Sequence, residues 1–483
     1  MRIRVVFHYL GLLVATLGFF MLAPLACSLI YGEADWRAFT ISLLISVGLG
    51  LLLWRQTPAG EGRLSRREAI MIVTGGWILA SAFGALPYVL AGTFGNYLDA
   101  YFETMSGFTT TGATVLADIE GQFRGILLWR SLSQWLGGMG MITLFVALFP
   151  MLGMGAANLV EAEVPGPQAE KLTARIRDTA RAVWFIYIGF SVLEILCLWV
   201  VKMPLYDALA ITFSTMATGG FTPTNLSIGA YNNLPAEIII IFFMVVGGAN
   251  FGLYYLFMWK RQPRSLMANS EFRLYVTILA GASIMIALDL MVNRGMAIGE
   301  AFRLGSFNTV SIMTTTGFAT ADFNAWSEFS KTILFILMLV GGSAGSTGGG
   351  IKVIRLLALL KSIRRRILLT INPRAVIPLK LGGNVLSEKV TSGIISMSML
   401  YVIVLVVASL ALSALGIDQV TAFSAVVASM GTVGPGLGLV GPVANYLWIP
   451  PLGKIILMMC MLLGRLELFT VMALVIPSFW KWR

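Results

Sequence analysis

Long stretches of this 483-residue chain contain no Asp, Glu, Lys or Arg. They cover residues 5–32, 69–98, 131–160, 238–259, 332–351 and 390–417. About 20 apolar residues in an α-helix, rising 1.5 Å per residue, cross the roughly 30 Å hydrocarbon core of a bilayer. Charged residues make up only 12% of the chain, against about 25% in soluble proteins. The chain is therefore predicted to be an all-α integral membrane protein.

The charged residues alternate in sign from one connection to the next. Basic residues concentrate at positions 55–67, 171–181, 260–273, 352–389 and 481–483. Acidic residues dominate the alternate connections, as at 33–35 and 118–120. The positive-inside rule predicts that the basic loops and both termini are cytoplasmic. The net charge of +11 reflects this topology, so no nucleic-acid partner is expected.

A short element that contains threonine and glycine occurs four times. Its residues are Thr110, Thr111 and Gly112 in the first copy, Ala217, Thr218 and Gly219 in the second, Thr315, Thr316 and Gly317 in the third, and Thr432, Val433 and Gly434 in the fourth. The copies follow one another at about 100 residues, and self-similarity at a constant spacing is the signature of internal repeats. The chain is therefore predicted to contain four repeats.

Each element has the same neighbours in the chain. A long apolar run and then a short segment precede it, and the short segments cover residues 99–108, 207–215, 300–313 and 418–430. Such segments are too short to span a bilayer and are predicted to be re-entrant half-helices. Each begins with an acidic residue that suits a helix N-terminus, and these residues are predicted as caps: Asp99, Asp207, Glu300 and Asp418. A second apolar run with a glycine cluster follows each element, so each repeat is predicted to be helix, half-helix, filter and helix.

Two more apolar segments, at 5–31 and 38–54, precede the first repeat. The predicted architecture has about ten spanning helices, with the four repeats around a pseudo-fourfold pore. The predicted divisions are a two-helix leader at 1–60 and repeats at 61–170, 171–265, 266–380 and 381–483. The first segment is longer than the apolar region of a signal peptide, which has about 7–15 residues, so we expect it to remain as a transmembrane helix.

The four elements are suited to binding a dehydrated cation. Non-helical backbone at membrane depth is tolerated only where it lines a cavity or is buried in protein. Main-chain carbonyls around one axis can replace the hydration shell of an ion, and glycine permits the torsion angles that direct them inward. The fourth copy, Thr432-Val433-Gly434-Pro435-Gly436, differs from the TVGYG signature of potassium channels only at Pro435. The sequence therefore predicts a filter for a monovalent cation, most simply K⁺.

A gate is predicted on the cytoplasmic side of this filter. The glycine-rich segment 341–350 should break a helix, because each glycine costs about 1 kcal/mol there. The candidate gate residues are Gly345, Ser346, Thr347, Gly348, Gly349, Gly350, Lys352 and Arg465. An arginine at mid-membrane costs about 2.5–3.5 kcal/mol and usually faces a cavity or a partner. The alternatives are helix packing through small residues at 341–350, a structural ion pair for Arg465, and a place for Lys352 at the start of a cytoplasmic helix.

Further motifs accompany the four elements. Residues 134–140 (QWLGGMG) follow the first element, residues 345–355 (GSTGGGIKVIR) follow the third, and residues 464–467 (GRLE) lie in the last apolar run. With these motifs the whole chain resembles the Trk/Ktr/HKT superfamily of potassium transporters. The two-helix leader makes it similar to the TrkH type within that superfamily.

The resemblance implies K⁺ uptake across the bacterial inner membrane by a homodimer with one pore per subunit. It also implies that a cytosolic nucleotide-binding regulatory subunit of the TrkA type docks on the cytoplasmic face. K⁺ is then the transported ion, membrane lipid surrounds the chain, and no organic cofactor is expected. In this alignment Ala217 and Val433 depart from the threonines of the other copies, which leaves a non-selective or Na⁺-coupled monovalent cation transporter as an alternative.

Two other functional classes fit the sequence less well. A secondary transporter of organic solutes predicts inverted repeats and substrate-reading side chains, whereas these four repeats run in the same direction. An intramembrane enzyme would need a nucleophile with a base, or a metal cluster. The only histidine is His8, and the three cysteines are far apart within apolar segments, so no enzymatic activity is expected.

Overall fold

A computed structural model of the protein describes residues 2–57, 64–143, 169–262, 264–381 and 384–481. The leader consists of three helices, α1 (Ile3–Phe20), α2 (Leu22–Tyr31) and α3 (Trp36–Gln56). Helices α1 and α2 together form one apolar segment of 29 residues, and α1 packs along α3. The leader therefore forms an antiparallel pair of spans beside the first repeat.

The repeats share one order of elements: an outer helix, a half-helix, a loop and an inner helix. Repeat one contains α4 (Arg66–Gly84), α5 (Leu86–Leu90), the half-helix α6 (Tyr97–Phe108) and the inner helix α7 (Arg124–Thr143). Repeat two contains α8 (Ala169–Val200), the half-helix α9 (Leu205–Met216), α10 (Leu234–Gly248) and α11 (Phe251–Tyr254), which a π-helical turn extends to Trp259.

The other two repeats follow the same order. Repeat three contains α12 (Arg264–Ala268), α13 (Ser270–Arg294), the half-helix α14 (Ile298–Met313), α15 (Glu328–Val340) and α16 (Val353–Ile371). Repeat four contains α17 (Glu388–Ala414), the half-helix α18 (Gln419–Met430), α19 (Pro451–Arg465), α20 (Leu468–Val475) and α21 (Pro477–Trp480). The short strands β1 (Lys380–Leu381) and β2 (Asn384–Val385) pair between these repeats. Each predicted repeat range contains one half-helix, and the exact boundaries stay a prediction.

The acidic residues at the half-helix starts hold two kinds of position. Asp418 is an N-cap, because its Oδ2 accepts a hydrogen bond from the backbone N–H of Thr421 at 3.0 Å. Hydrogen bonds from Thr421 hold the pKa of the Asp418 carboxyl below its ordinary value. Asp99, Asp207 and Glu300 lie instead in the first turn, where a carboxylate still interacts favourably with the helix dipole. The cap prediction is therefore correct for one of the four.

Three of the four inner helices end at their glycine clusters, whereas α7 continues past Gly137 and Gly138 to Thr143. Helix α10 ends at Gly248, and the chain turns by 96° into the following helical segment. Helix α15 ends before Gly341, which has a φ of 71°, and α19 ends at Arg465. Within the described residues, six helices are long and apolar enough to span a membrane, or seven if the bent pair is one span. The predicted number of about ten is not confirmed, because these interruptions leave inner helices shorter than a span.

The glycine clusters also place the inner helices against the ends of the half-helices. A Cβ atom placed on Gly137 would lie 1.9 Å from the carbonyl oxygen of Phe108, the last residue of α6. A Cβ atom on Gly464 would lie 2.0 Å from the carbonyl oxygen of Met430, the last residue of α18. Only glycine permits this approach, so the clusters bring the half-helix ends close to a common centre.

Candidate ion pathway

The four half-helices end in one shared backbone geometry. After each helix one residue keeps right-handed torsion angles, and the next is a left-handed threonine: Thr110, Thr218, Thr315 and Thr432, with φ of 55°, 51°, 60° and 52°. Two residues later a glycine is left-handed: Gly112, Gly220, Gly317 and Gly434, with φ of 80°, 84°, 82° and 93°. A β-branched residue at positive φ is strained, and such strain persists only where the surrounding structure imposes it.

This geometry corrects the register of the second copy. The sequence pattern aligned residues 217–219 with the other copies, but the torsion angles show that Gly220, and not Gly219, corresponds to the left-handed glycine of the other three copies. Ala217 is the right-handed residue that closes α9. Gly219 and Gly220 both fit the sequence pattern, so the alignment from sequence placed the second copy one residue too early. All four copies are therefore Thr-x-Gly elements, at residues 110–112, 218–220, 315–317 and 432–434.

The four Thr-x-Gly elements form a closed ring. A Cβ atom placed on the glycine of each element would lie 1.9–2.6 Å from the carbonyl oxygen of the middle residue of the next element. The pairs are Gly112 with Gly219, Gly220 with Thr316, Gly317 with Val433, and Gly434 with Thr111. An added carbon would overlap a backbone oxygen at every one of these glycines. The elements therefore surround one axis, and the fourth element closes onto the first.

The loops after the elements form a second closed set of contacts, on the side where the half-helices begin. Each consecutive pair of repeats shares a hydrogen bond: Ile119 N–H to Asn225 Oδ1 at 2.9 Å, Gly229 N–H to the Ala319 carbonyl at 3.1 Å, Asn324 Nδ2 to the Gly438 carbonyl at 2.7 Å, and Tyr446 N–H to the Thr114 carbonyl at 2.8 Å. A polar cavity of about 110 Å³ lies on this side, and its lining includes the glycines of all four elements. The ring is therefore accessible from this side.

A buried ion pair supports this lining. Arg130 Nε donates to Glu103 Oε1 at 2.8 Å, and the two side chains are 1% and 0% exposed. Arg130 also donates to the carbonyl of Thr222 at 3.2 Å, and Glu103 accepts from the N–H of Val115 at 2.9 Å. These bonds satisfy the charges as a buried pair requires. Sequence reasoning missed both residues, although the charge of Arg130 beside an apolar run was an available signal.

The segment that the sequence predicts as a gate, residues 341–350, lies on the opposite side of the ring and is here called the gate loop. The loop is not helical, which agrees with the prediction. It contacts the left-handed threonines of three of the four elements. Thr347 Oγ1 lies 3.2 Å from Thr218 Oγ1, and the N–H of Gly349 donates to Thr315 Oγ1 at 2.8 Å. A Cβ atom on Gly349 would lie 2.1 Å from Thr432 Oγ1. The loop therefore lies directly against the inner ends of the second, third and fourth elements.

Arg465 contacts both the gate loop and repeat one, the repeat whose threonine the loop does not contact. Its side chain is buried, and its Nη1 donates to the carbonyl of Thr347 at 2.6 Å. Its Nη2 donates to the carbonyl of Gly137 in the inner helix of repeat one at 2.9 Å. Both acceptors are main-chain oxygens, and no salt bridge to Arg465 occurs within the described residues. Among the residues that the structure describes, Arg465 is therefore a positive charge beside the gate loop without an acidic partner.

Lys352 lies both at the start of a helix and against the gate loop, which the sequence analysis gave as alternatives. It is the N-cap residue of α16, and it is buried with its Nζ donating to the carbonyl of Gly348 in the gate loop. One turn along α16, Arg355 Nη2 donates to Glu467 Oε1 at 2.5 Å. Glu467, two positions after Arg465, thus pairs with Arg355 and not with Arg465. This pair, which sequence reasoning missed, joins α16 to the break between α19 and α20.

The fold and the ring define a membrane protein of four pore-forming repeats. Residues 36–482 match the family model described as "TrkH: Cation transport protein". The chain belongs to this TrkH family.

Individual relatives agree with this assignment over their full length. The Trk system potassium uptake protein TrkH of Escherichia coli K12 is 36% identical over 488 residues, and that of Halomonas elongata is 37% identical over 483 residues, with 100% of both chains covered in each case. The crystal structure of the potassium transporter TrkH from Vibrio parahaemolyticus superimposes with a TM-score of 0.92 at 33% identity, again over 100% of both chains. The predicted all-α membrane fold of four repeats is thereby confirmed.

Proposed function

We propose that this chain takes up K⁺ across the bacterial inner membrane through the ring of Thr-x-Gly elements. The observation that carries the proposal is the ring itself, in which four equivalent backbone turns close on one axis at the ends of four half-helices. Helix C-termini carry partial negative charge and main-chain carbonyls can replace a hydration shell, which together favour a large monovalent cation. Relatives that match the whole chain are named as potassium uptake proteins.

In this proposal the filter consists of the carbonyl and hydroxyl oxygens of residues 110–112, 218–220, 315–317 and 432–434. The corrected register supports K⁺ binding, because the second element contains a threonine at the same position as the others. Ala217 precedes the element, so its difference from threonine does not remove a filter hydroxyl. The remaining difference between the elements lies at their middle residue.

The gate in this proposal consists of the gate loop together with Lys352 and Arg465. The contacts of the loop with three threonines, and of Arg465 with Thr347 and Gly137, support a closed pathway on the inner side. A positive charge in a low-dielectric region raises the energy of a nearby cation. Displacement of the loop and of Arg465 would open the pathway, and K⁺ would then move down its electrochemical gradient.

The further parts of the proposal concern topology and partners. Both termini are cytoplasmic, two copies of the chain form a homodimer, and a TrkA-type regulatory subunit docks on the basic cytoplasmic side. The words "Trk system" in the names of the relatives support an assembly of more than one component. Lipid surrounds the chain, and the transported K⁺ is the only small-molecule ligand that the proposal includes.

The experiment is uptake of a Rb⁺ tracer into liposomes that contain the purified chain, with K⁺ or Na⁺ as competitor. We expect K⁺ to block uptake and Na⁺ to have little effect. Equal competition by both ions would support the alternative of a non-selective monovalent cation pathway, and dependence of uptake on Na⁺ would support Na⁺ coupling.

The Arg465→Ala variant tests the gate in the same assay. Without Arg465 the loop loses its link to Gly137 and the pathway loses a positive charge, so we expect faster Rb⁺ uptake than in the wild type. Arg294→Ala is the matched control, because Arg294 is exposed at the end of α13. Slower or unchanged uptake in Arg465→Ala would contradict the proposed gate.

A further inference from the structure

The second Thr-x-Gly element differs from the others at its middle position. That position holds Thr111, Thr316 or Val433 in the other elements and Gly219 here. In the first and third elements the middle hydroxyl lies 2.8 Å from the hydroxyl of Thr109 or Thr314. Gly219 has no side chain and cannot form such a contact. Two glycines in succession, Gly219 and Gly220, also have the largest backbone freedom among the four elements.

Gln134, in the inner helix of the preceding repeat, contacts the main chain on both sides of Gly220. Its Nε2 donates to the carbonyl of Gly219 at 2.6 Å, and its Oε1 accepts from the N–H of Phe221 at 3.1 Å. Gln134 is fully buried, so the two bonds satisfy both ends of its amide as burial requires. Within the described part of the chain, no hydrogen bond reaches the equivalent carbonyls of Thr111, Thr316 or Val433.

The Gln134 amide occupies the volume that a side chain at position 219 would fill. A Cβ atom placed on Gly219 would lie 2.4 Å from Gln134 Cδ, 2.6 Å from Oε1 and 2.7 Å from Nε2. A glutamine at 134 and a side chain at 219 therefore exclude each other unless one of them moves.

The other repeats show the complementary combination of residues. Gln134 stands three positions before the first glycine of its cluster, and the other inner helices have a buried methionine there: Met244, Met338 and Met461. The elements that follow these three helices around the ring have a side chain at the middle position. Only the helix before Gly219 has a glutamine.

We propose that Gln134 is a positioning residue for ion selectivity. It replaces the missing side chain at position 219 and fixes the peptides on both sides of Gly220, so that the second element matches the other three. This inference rests on the proposed function, since it concerns discrimination by the same ring. Selectivity depends on the number and placement of the coordinating carbonyls, so a loosened second element should admit Na⁺ more readily.

The test measures the ratio of K⁺ to Na⁺ competition against Rb⁺ uptake in liposomes. We expect Gln134→Met to retain uptake but to lower this ratio at least about fivefold, because two buried hydrogen bonds are lost. Gln134→Glu has the same shape but cannot donate to the Gly219 carbonyl, and we expect it to lower the ratio as well. Gln122→Met is the matched control in an outer loop, and it should keep the wild-type ratio.

A double variant tests the complementarity directly. Gly219→Thr alone should lower uptake and the ratio, because its side chain displaces the Gln134 amide from the Gly219 carbonyl. Gln134→Met combined with Gly219→Thr reproduces the combination of Met244 with Thr316, so uptake and most of the K⁺ preference should return.

Two outcomes would overturn the inference, and the first does so whether or not thermal stability changes. They are a wild-type ratio in Gln134→Met and a double variant that is no more selective than Gln134→Met. If Gln134→Met does not fold, Gln134→Glu and the double variant give the same comparison. Wild-type uptake that K⁺ does not block would instead contradict the proposed function itself, which distinguishes the two failures.

Discussion

The two sides of the Thr-x-Gly ring are held together in different ways. On the outer side every repeat donates a hydrogen bond to the next, and the set closes from the fourth repeat onto the first. On the inner side one segment of repeat three covers three elements, and a single side chain of repeat four, Arg465, reaches the first repeat. Among the described residues, the outer contacts thus follow the fourfold order of the repeats, whereas the contacts of the gate loop and Arg465 do not.

We expect this difference to separate a permanent part of the proposed pathway from a movable one. The outer contacts join each repeat to the next by a hydrogen bond, so the loss of one bond leaves two neighbouring repeats without their connection in the closed set. The inner contacts are hydrogen bonds from hydroxyls, a guanidinium and several backbone N–H groups, among them those of Ser343 and Thr347 to the carbonyls of Gly248 and Gly247. Each can be exchanged for a bond to water at modest cost. Substitutions that disrupt the ring should therefore abolish uptake, whereas substitutions that remove inner contacts should increase it.

The largest effect is expected for Gly317→Ala. The added carbon would lie 1.9 Å from the carbonyl oxygen of Val433, and a left-handed φ costs an alanine about 1–2 kcal/mol. The ring must deform, so we expect saturable Rb⁺ uptake to disappear. Gly299→Ala is the control in the same half-helix, because its added carbon meets no atom within 4 Å. If Gly317→Ala kept wild-type uptake, the ring would not be the pathway.

An effect of opposite sign is expected for Thr347→Val. The hydroxyl of Thr347 lies 3.0 Å from the carbonyl of Met216 and 3.1 Å from that of Gly247, besides its contact with Thr218. Removal of a buried hydroxyl leaves these groups unsatisfied in the closed state, which should favour opening and raise uptake about tenfold. Thr332→Val is the control, because the exposed Thr332 bonds only within its own helix. Reduced uptake in Thr347→Val would assign the loop a supporting role instead.

The sequence predicted the parts of this site that depend on local chemistry. Apolar runs without charge predicted the membrane helices, and the repeated glycines predicted where the helices break and where the half-helices end. The glycine-rich composition of residues 341–350 predicted a loop for the same reason, since glycine opposes a helix. These properties follow from each segment itself and need no information about its neighbours.

Contacts between repeats could not be predicted in the same way. The register of the second element depends on torsion angles, and Gly219 and Gly220 are equivalent as letters. The pairs Glu103 with Arg130 and Arg355 with Glu467 join residues far apart in the chain, and nothing in one sequence specifies such partners. The number of spanning helices was uncertain for a related reason, because a break within an apolar run divides a predicted span.

A smaller increase in uptake is expected for Glu467→Gln. This change leaves Arg355 with an unpaired, largely buried charge beside the segment that carries Arg465, and removal of one partner of a buried pair costs more than removal of both. We expect uptake to rise severalfold and thermal stability to fall. The double variant Arg355→Gln with Glu467→Gln should recover part of both. A double variant worse than Glu467→Gln would show that the pair does not act as a unit.

The smallest change in uptake is expected at an outer contact, the pair of Lys454 with Asp99. The Nζ and Oδ1 atoms are 2.5 Å apart, the side chains are 6% and 9% exposed, and the pair joins the inner helix of repeat four to the half-helix of repeat one. Lys454→Met should destabilise the fold by about 3 kcal/mol or more, because the Asp99 charge loses its partner.

Lys331→Met is the control for this variant, because Lys331 pairs with a Glu328 side chain that is 89% exposed, and such surface pairs contribute only about 0–1 kcal/mol. Thermal unfolding should separate the two variants clearly. Rb⁺ uptake per folded molecule should nevertheless be the same in both, since neither residue touches the gate loop or Arg465. If Lys454→Met instead raised uptake as Thr347→Val does, the outer contacts would take part in gating, and the separation between a permanent outer side and a movable inner side would not hold.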